Sequence, residues 1–167
     1  MPDLTELHQA WKTEDDTRQF AARLAHQLST LTPEDSLFIE LHGDLGAGKT
    51  TFVRHLLQTM GVTGRIKSPT YAIVEAYDDI KNALYQPLSL WHFDFYRFND
   101  PLEWEEAGFR DIFASKGIKL VEWPEKAAAE LPVADIAMII VANMDESRAI
   151  TVKAQTPAGQ LLLSKLQ

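Results

Sequence analysis

A short stretch in the first third of the chain brings three glycines together with a lysine and two threonines. Residues 43–51 read GDLGAGKTT, and the part up to Thr50 matches the phosphate-binding pattern G-x-x-x-x-G-K-[ST] at every fixed position. Glycines allow backbone N–H groups to curve around a phosphate where a Cβ would clash. The ammonium of Lys49 suits the β- and γ-phosphates of a nucleotide, and the hydroxyl of Thr50 suits Mg²⁺. The pattern therefore predicts a nucleotide site that works with Mg²⁺.

The surroundings of this loop favour nucleotide binding over an ordinary glycine-rich turn. A β-prone run, 37–41, precedes the loop, and an amphipathic helix, 49–60, begins within it. The first N–H groups of a helix are unpaired and carry the positive end of its dipole, which attracts phosphate. The predicted nucleotide-binding residues of the loop are Gly43, Asp44, Leu45, Gly46, Ala47, Gly48, Lys49, Thr50 and Thr51.

Two carboxylates lie at the ends of strand-like runs later in the chain. Asp94 sits late in the aromatic run 88–96, and Glu122 comes directly after the apolar run 118–121. Phosphates gather at the carboxyl edge of a parallel sheet, so acids at strand ends there are natural ligands of magnesium or of the attacking water. The alternatives are a solvated carboxylate beside Arg97 for Asp94 and a surface glutamate for Glu122. The residues alone leave open which acid lies closer to the metal.

The base of the nucleotide is predicted to be adenine. A Ras-type GTPase carries N-K-x-D and D-x-x-G motifs, whereas residues 143–145 read NMD and residues 94–97 read DFYR. A small-molecule kinase remains an alternative, because it shares the use of ATP and a size near 167 residues. Such kinases usually carry an arginine-rich lid, and the arginines here are dispersed. A third alternative is a binding module whose ATP state is read by a partner without hydrolysis.

Composition restricts the partners and the location of the protein. The formal net charge is −8 with scattered Lys and Arg, so any RNA on which the protein acts is expected to be held by a partner, since autonomous binding needs a basic face. There are no cysteines, and His42 and His92, which each precede a site motif, are expected to form structural hydrogen bonds and not a zinc site. Apolar runs such as 136–142 are far shorter than the roughly 20 residues of a membrane span. Without a secretion signal at the start of the sequence, we expect a cytoplasmic protein with no membrane segment.

The elements that must position these residues alternate between helix and strand. Thr13 is a typical N-cap, and Phe20, Leu24 and Leu28 form one apolar helix face before a turn at 32–35. Further helices are predicted at 101–106 and 157–166. Strands are predicted at 37–41, 71–77, 88–96, 118–123, 135–141 and 148–154, with a long hairpin loop at 78–87. This alternation predicts a single α/β domain over residues 1–167.

Four motifs in this order resemble those of the bacterial TsaE (YjeE) family. They are GDLGAGKTT at 43–51, KSPTY at 67–71, HFDFYR at 92–97 and VEWP at 121–124. The similarity runs from about residue 37 to residue 124. It implies a single-domain P-loop NTPase with a mixed β-sheet flanked by helices. It also implies an ATPase of the tRNA threonylcarbamoyladenosine pathway that is slow alone and is stimulated by two larger partners. These are TsaD, which transfers the threonylcarbamoyl group, and its relative TsaB.

The resemblance also implies roles for single residues. Glu122 is expected to approach the metal and Asp94 the attacking water, while Thr70 senses the γ-phosphate unless it merely belongs to a Ser-Pro turn. Trp123 either packs in the core or stacks on the base, and Arg148 either reaches the adenine or faces solvent. The predicted catalytic residues are Lys49, Thr70, Asp94 and Glu122; the predicted metal ligands are Thr50, Asp94 and Glu122; Trp123 and Arg148 join the nucleotide-binding residues.

Overall fold

The structure is a computed structural model that describes residues 5–66, 69 and 72–167. Its strands are β1 (Glu6–Trp11), β2 (Ser36–His42), β3 (Val74–Lys81), β4 (Pro87–Asp94), β5 (Gly117–Glu122), β6 (Ile136–Ala142) and β7 (Arg148–Ala154). Its helices are α1 (Glu14–Leu28), α2 (Lys49–Thr59), α3 (Pro101–Glu106), α4 (Phe109–Ala114) and α5 (Pro157–Lys165), with a 3₁₀ turn at Pro124–Ala127. Within the described ranges, no helix has the length and apolar character needed to cross a membrane.

The strands form one mixed sheet in the order β1-β7-β6-β2-β5-β4-β3. The four central strands run parallel, because β2 pairs with both β5 and β6 and β5 also pairs with β4. The antiparallel pairs lie towards the two edges, where β7 joins β6 to β1 and β3 pairs with β4. This arrangement confirms the predicted α/β fold with a mixed sheet. It also brings the carboxyl ends of β2, β4, β5 and β6 to one edge of the sheet.

The sheet is covered on both faces, as the alternation of side chains along its strands requires. Leu37, Ile39 and Leu41 of β2 point to the core beneath α1 and α2, whereas Phe38 belongs to a second core. That second core lies under α3 and α4 and is rich in aromatic rings. Its buried members include Phe93, Phe95, Trp104, Phe109 and Val121.

Helices α1 and α2 are held together by aromatic packing. Thr13 and Asp16 form a reciprocal capping box at the start of α1, as the N-cap prediction required. The ring centroid of Phe20 in α1 lies 6.1 Å from that of Phe52 in α2, and both lie 5.6 Å from the ring centroid of Trp11 at the end of β1. All three side chains are buried. Since α2 begins at the glycine-rich loop, this packing fixes the helix that carries Lys49 and Thr50.

The structure differs from the predicted elements in four details. The proposed loop at 78–87 is mostly strand, because β3 continues to Lys81 and the reversal occurs within 82–86. Buried Asn82 makes this tight turn, since its Oδ1 accepts hydrogen bonds from the backbone N–H groups of Leu84 and Gln86. Strand β1 and helix α4 were not predicted. Finally, β5 ends at Glu122, because Trp123 adopts a left-handed backbone conformation with φ of 56°.

Candidate functional site

The glycine-rich loop joins β2 to α2 at the carboxyl edge of the sheet. Gly48 immediately precedes the helix with φ of 110°, a conformation that residues with a side chain rarely adopt. A Cβ on Gly48 would lie 2.8 Å from Nε of Arg148, and a Cβ on Gly43 would lie 2.7 Å from the carbonyl oxygen of Ile140. The loop therefore packs so closely on β6 and β7 that these glycines cannot be replaced without movement. Such a backbone cradle at a helix N-terminus fits a phosphate group.

Lys49 is the first residue of α2, and its side chain is buried within the loop. Its Nζ donates a hydrogen bond to the carbonyl oxygen of Gly43 and lies 3.6 Å from the centroid of the Trp123 ring. Burial lowers the pKa of Lys49, while the negative charges of Glu122, Glu125, Asp94 and Asp44 oppose that shift. The amine thus sits at the base of the loop with acids close enough to favour its charged form.

Among the described residues, two side chains from different elements contact the Glu122 carboxylate. Its Oε1 accepts a hydrogen bond from the Thr50 hydroxyl at 2.9 Å, and its Oε2 lies 2.6 Å from Nε2 of His92. The side chains of His92 and Glu122 are only 1% and 2% exposed. A surface glutamate, the alternative considered for Glu122, is therefore wrong. The contact to Thr50 joins the end of β5 directly to the first turn of α2.

Asp94 lies beside Glu122 because β4 and β5 are parallel and pair Asp94 with Glu122. Its side chain is nearly buried, and its Oδ1 accepts a hydrogen bond from the backbone N–H of Tyr96 at 3.0 Å. Burial excludes the solvated carboxylate considered from the sequence. Side chains along β4 alternate between the two faces of the sheet, with Phe93 in the second core and Leu90 in the core beneath α1 and α2. His92 and Asp94 therefore face the same side of the sheet as α2. The two acids therefore meet the loop on one face.

These residues surround a cavity of about 410 Å³ at the carboxyl edge of the sheet. The predicted residues that line it are those at 45–51 together with Asp94, Glu122, Trp123 and Arg148. Gly43 and Asp44 contribute to the base of the loop and lie outside this lining. Tyr96 and Arg97 also line the cavity, although they were not among the predicted site residues. They could have been predicted from the sequence, because both belong to the HFDFYR motif at 92–97.

The positions of Arg148 and Trp123 bear on the alternative roles considered for these two residues. Nε of Arg148, at the start of β7, donates a hydrogen bond to the carbonyl oxygen of Ala47 at 2.5 Å, so the side chain is attached to the loop instead of facing solvent. The ring of Trp123 lies between Lys49 and Tyr96, with a centroid distance of 5.0 Å to the Tyr96 ring. Contact of either residue with the base remains a prediction. Thr70 lies outside the described residues, as do Lys67, Ser68 and Tyr71, and its γ-phosphate role also remains a prediction.

The chemistry of the donors fits Mg²⁺ bound mainly through phosphates. Among residues 5–66, 69 and 72–167, no three His, Cys, Asp or Glu side chains are grouped as a metal cage. Mg²⁺ in phosphate sites usually takes only one or two carboxylates and keeps waters and phosphate oxygens as its other ligands. The Thr50 hydroxyl, Glu122 and neighbouring Asp94 supply such a partial ligand set. These three residues could therefore hold the metal next to the phosphate loop.

Comparison with known proteins identifies relatives along most of the chain. Residues 11–150 match the family model of TsaE, the threonylcarbamoyl adenosine biosynthesis protein. The tRNA threonylcarbamoyladenosine biosynthesis protein TsaE of Haemophilus influenzae is 42% identical over 146 residues, which cover 87% of this chain and 88% of the relative. The Bacillus subtilis protein of the same name is 36% identical, covering 80% and 78% of the two chains. The crystal structure of Bacillus subtilis YdiB superposes with a TM-score of 0.71 at 28% identity, covering 99% and 97%.

The lowered pKa of Lys49 predicts a pH-dependent contribution to stability. Because its folded pKa lies below the unfolded value of 10.5, the unfolded chain binds more protons between these two values, and stability rises with pH across that window. As the pH is raised from 7 towards 10.5, the free energy of unfolding should therefore increase more for the wild type than for Lys49→Met. Urea unfolding at a series of pH values measures the difference.

The matched control for this prediction is Lys12→Met, which removes a lysine at an exposed position. Its free energy of unfolding should stay parallel to that of the wild type over the same pH range. If the Lys49→Met curve is also parallel to the wild type, the amine is not desolvated in the folded protein and the described burial is wrong.

Proposed function

Because the chain belongs to the TsaE family of threonylcarbamoyl adenosine biosynthesis proteins, we propose that it serves this pathway as a magnesium-dependent ATPase. One observation carries the proposal: the Thr50 hydroxyl of the phosphate loop lies 2.9 Å from Oε1 of the buried carboxylate Glu122. In P-loop enzymes, a hydroxyl at this position and an acid at a neighbouring strand end share Mg²⁺ at the β- and γ-phosphates. A structural turn would not require a buried acid at this hydroxyl.

Each polar residue of the cavity has a distinct task in the proposed reaction. The backbone N–H groups of the loop bind the phosphates, and Lys49 exchanges its contact with the Gly43 carbonyl for the β- and γ-phosphate oxygens. Thr50 and Glu122 hold Mg²⁺, which when bound neutralises negative charge on the phosphates. Asp94 orients the attacking water beside them. The preorganised position of these groups supplies most of the catalysis expected for phosphoryl transfer.

The proposal assigns hydrolysis to this chain and threonylcarbamoyl transfer to its partners, the TsaB–TsaD pair. The net charge of −8 and the scattered Lys and Arg support a protein that does not hold tRNA by itself. Groups supplied by a partner can accelerate P-loop hydrolysis by several orders of magnitude, so slow turnover alone is expected. The proposal places this activity in the cytoplasm.

The first test concerns the carboxylate that contacts the loop. Glu122→Gln keeps the size and shape of the side chain but removes its charge and one of its two acceptor oxygens, so ATP hydrolysis should fall by about a hundredfold. ATP affinity should change little, because the loop and Lys49 make the phosphate contacts. Single-turnover phosphate release and equilibrium ATP binding measure the two effects separately.

The control is Glu106→Gln, which removes a charge from an exposed glutamate at the end of α3. It should retain hydrolysis close to that of the wild type. Full activity in Glu122→Gln, or an equal loss in Glu106→Gln, would remove Glu122 from the proposed metal site.

The second test concerns the partners and the predicted switch residue. Addition of the TsaB–TsaD pair should raise the ATPase rate at least tenfold, and ATP should favour the complex over ADP. Thr70→Ala should weaken this nucleotide dependence while ATP still binds. Thr63→Ala, at an exposed position earlier in the same connection, should behave as the wild type. Steady-state hydrolysis and co-sedimentation with each nucleotide provide the measurement.

Each other outcome of this test selects one of the alternative functions. A pair that neither binds nor stimulates the protein, with phosphorylation of a metabolite by the protein alone, would establish the kinase. Binding that depends on ATP without measurable hydrolysis would establish the nucleotide-dependent binding module.

A further inference from the structure

His92 is a buried histidine whose described polar contact is made to Glu122. The residue lies on β4 with no exposed surface, and its Nε2 is 2.6 Å from Oε2 of Glu122. Its other ring nitrogen, Nδ1, is buried and has no hydrogen-bond partner among the described residues. Burial of a polar ring costs free energy unless the ring is hydrogen-bonded, and among the described residues the contact with Glu122 is what offsets that cost.

The geometry assigns the proton in this contact to one position. A carboxylate oxygen and an unprotonated ring nitrogen would place two lone pairs against each other at 2.6 Å, which is repulsive. An ionised Glu122 can only accept, so Nε2 of His92 carries the hydrogen and donates it. Nε2 is therefore the ring nitrogen that must carry a hydrogen for this contact to form.

The two described contacts of Glu122 have different roles under the proposed function. Thr50 contacts Oε1, and its hydroxyl is also the loop group that would hold Mg²⁺. His92 contacts Oε2 from the adjacent strand and does not line the cavity. If Thr50 held the metal, the imidazole would be the described contact that still fixes the carboxylate. The rigid strand pairing of β4 with β5 sets that contact, because Leu120 lies opposite His92 and Glu122 lies one pleat further along.

We propose that His92 is a positioning residue, which orients the Glu122 carboxylate so that Oε1 remains directed at the metal beside Thr50. This inference rests on the proposed function of Glu122 and adds a residue that acts through it. Outer partners of metal ligands typically contribute about 10–100-fold to metal affinity or activity. Loss of the histidine should therefore raise the Mg²⁺ concentration that hydrolysis requires. The contacts between the loop and the phosphates, which do not involve the metal, should stay intact.

The test compares His92→Leu, which removes the donor, with His92→Gln, which keeps an N–H donor at a similar reach. His92→Leu should raise the Mg²⁺ concentration for half-maximal ATP hydrolysis about 10–100-fold. ATP affinity measured in EDTA should stay within about threefold of the wild type, since loop contacts dominate there. His92→Gln should recover most of the Mg²⁺ response. Phe93→Leu, on the opposite face of the same strand, should lower thermal stability without changing the Mg²⁺ response.

A second readout uses the nucleotide-free protein and does not depend on activity. In ¹⁵N-resolved NMR spectra of the histidine rings, His92 should show a protonated Nε2 with a strongly downfield proton. That proton should move upfield in Glu122→Gln, because an amide oxygen accepts more weakly than a carboxylate. Observation of the Nδ1–H tautomer, or a proton unaffected by Glu122→Gln, would overturn the inference.

The outcomes separate this inference from the proposed function. A wild-type protein without Mg²⁺-dependent hydrolysis overturns both proposals. An active wild type with an unchanged Mg²⁺ response in His92→Leu overturns the inference alone. Equal Mg²⁺ defects in His92→Leu, His92→Gln and Phe93→Leu would show that any disturbance of β4 has the same effect, and would also overturn it.

Discussion

Parallel pairing of β2, β5 and β4 is the constraint on which the rest of this structure depends. It brings the glycine-rich loop after β2, Glu122 at the end of β5 and Asp94 at the end of β4 to one edge of the sheet. Parallel strands need covering helices on both faces. Here α1 and α2 cover one hydrophobic core, and α3 and α4 cover the other. A shift of one residue in either pairing would turn the acids to the opposite face of the sheet. The site therefore depends on register as much as on its own residue types.

This arrangement also buries the polar groups of the cavity in contact with one another. Lys49 contacts the Gly43 carbonyl and the Trp123 ring, while Glu122 contacts Thr50 and His92. Buried charges are costly unless they are paired. These contacts satisfy the lysine and the carboxylate in a form that nucleotide phosphates and Mg²⁺ can exchange. Preorganisation of the site and stability of the fold thus share the same side chains.

Much of this could be predicted from the sequence where the signal is local. The loop motif, the N-cap at Thr13 and the apolar face of α1 each depend on residues a few positions apart, and the structure confirms them as elements. The placement of Asp94 and Glu122 at strand ends was also predicted, although their burial was not. What could not be predicted depends on distant pairing. Strand β1 reads ELHQAW, without a regular alternation of polar and apolar residues, and becomes a strand by pairing with β7. The contact of His92 with Glu122 requires the register of β4 on β5.

The central claim is that the loop between β2 and α2 binds the phosphates of ATP with Mg²⁺, and calorimetric titration tests it most directly. Gly48→Ala and Gly61→Ala introduce the same methyl group at similar backbone angles, φ of 110° and 99°. At Gly61 the added Cβ meets nothing within 4 Å, whereas at Gly48 it lies inside the loop against Arg148. We expect wild type and Gly61→Ala to bind ATP with Mg²⁺ equally. Gly48→Ala should bind about tenfold more weakly, which corresponds to the loss of about 1.4 kcal/mol. Equal affinity in the two variants, or no ATP binding by the wild type, would contradict the account.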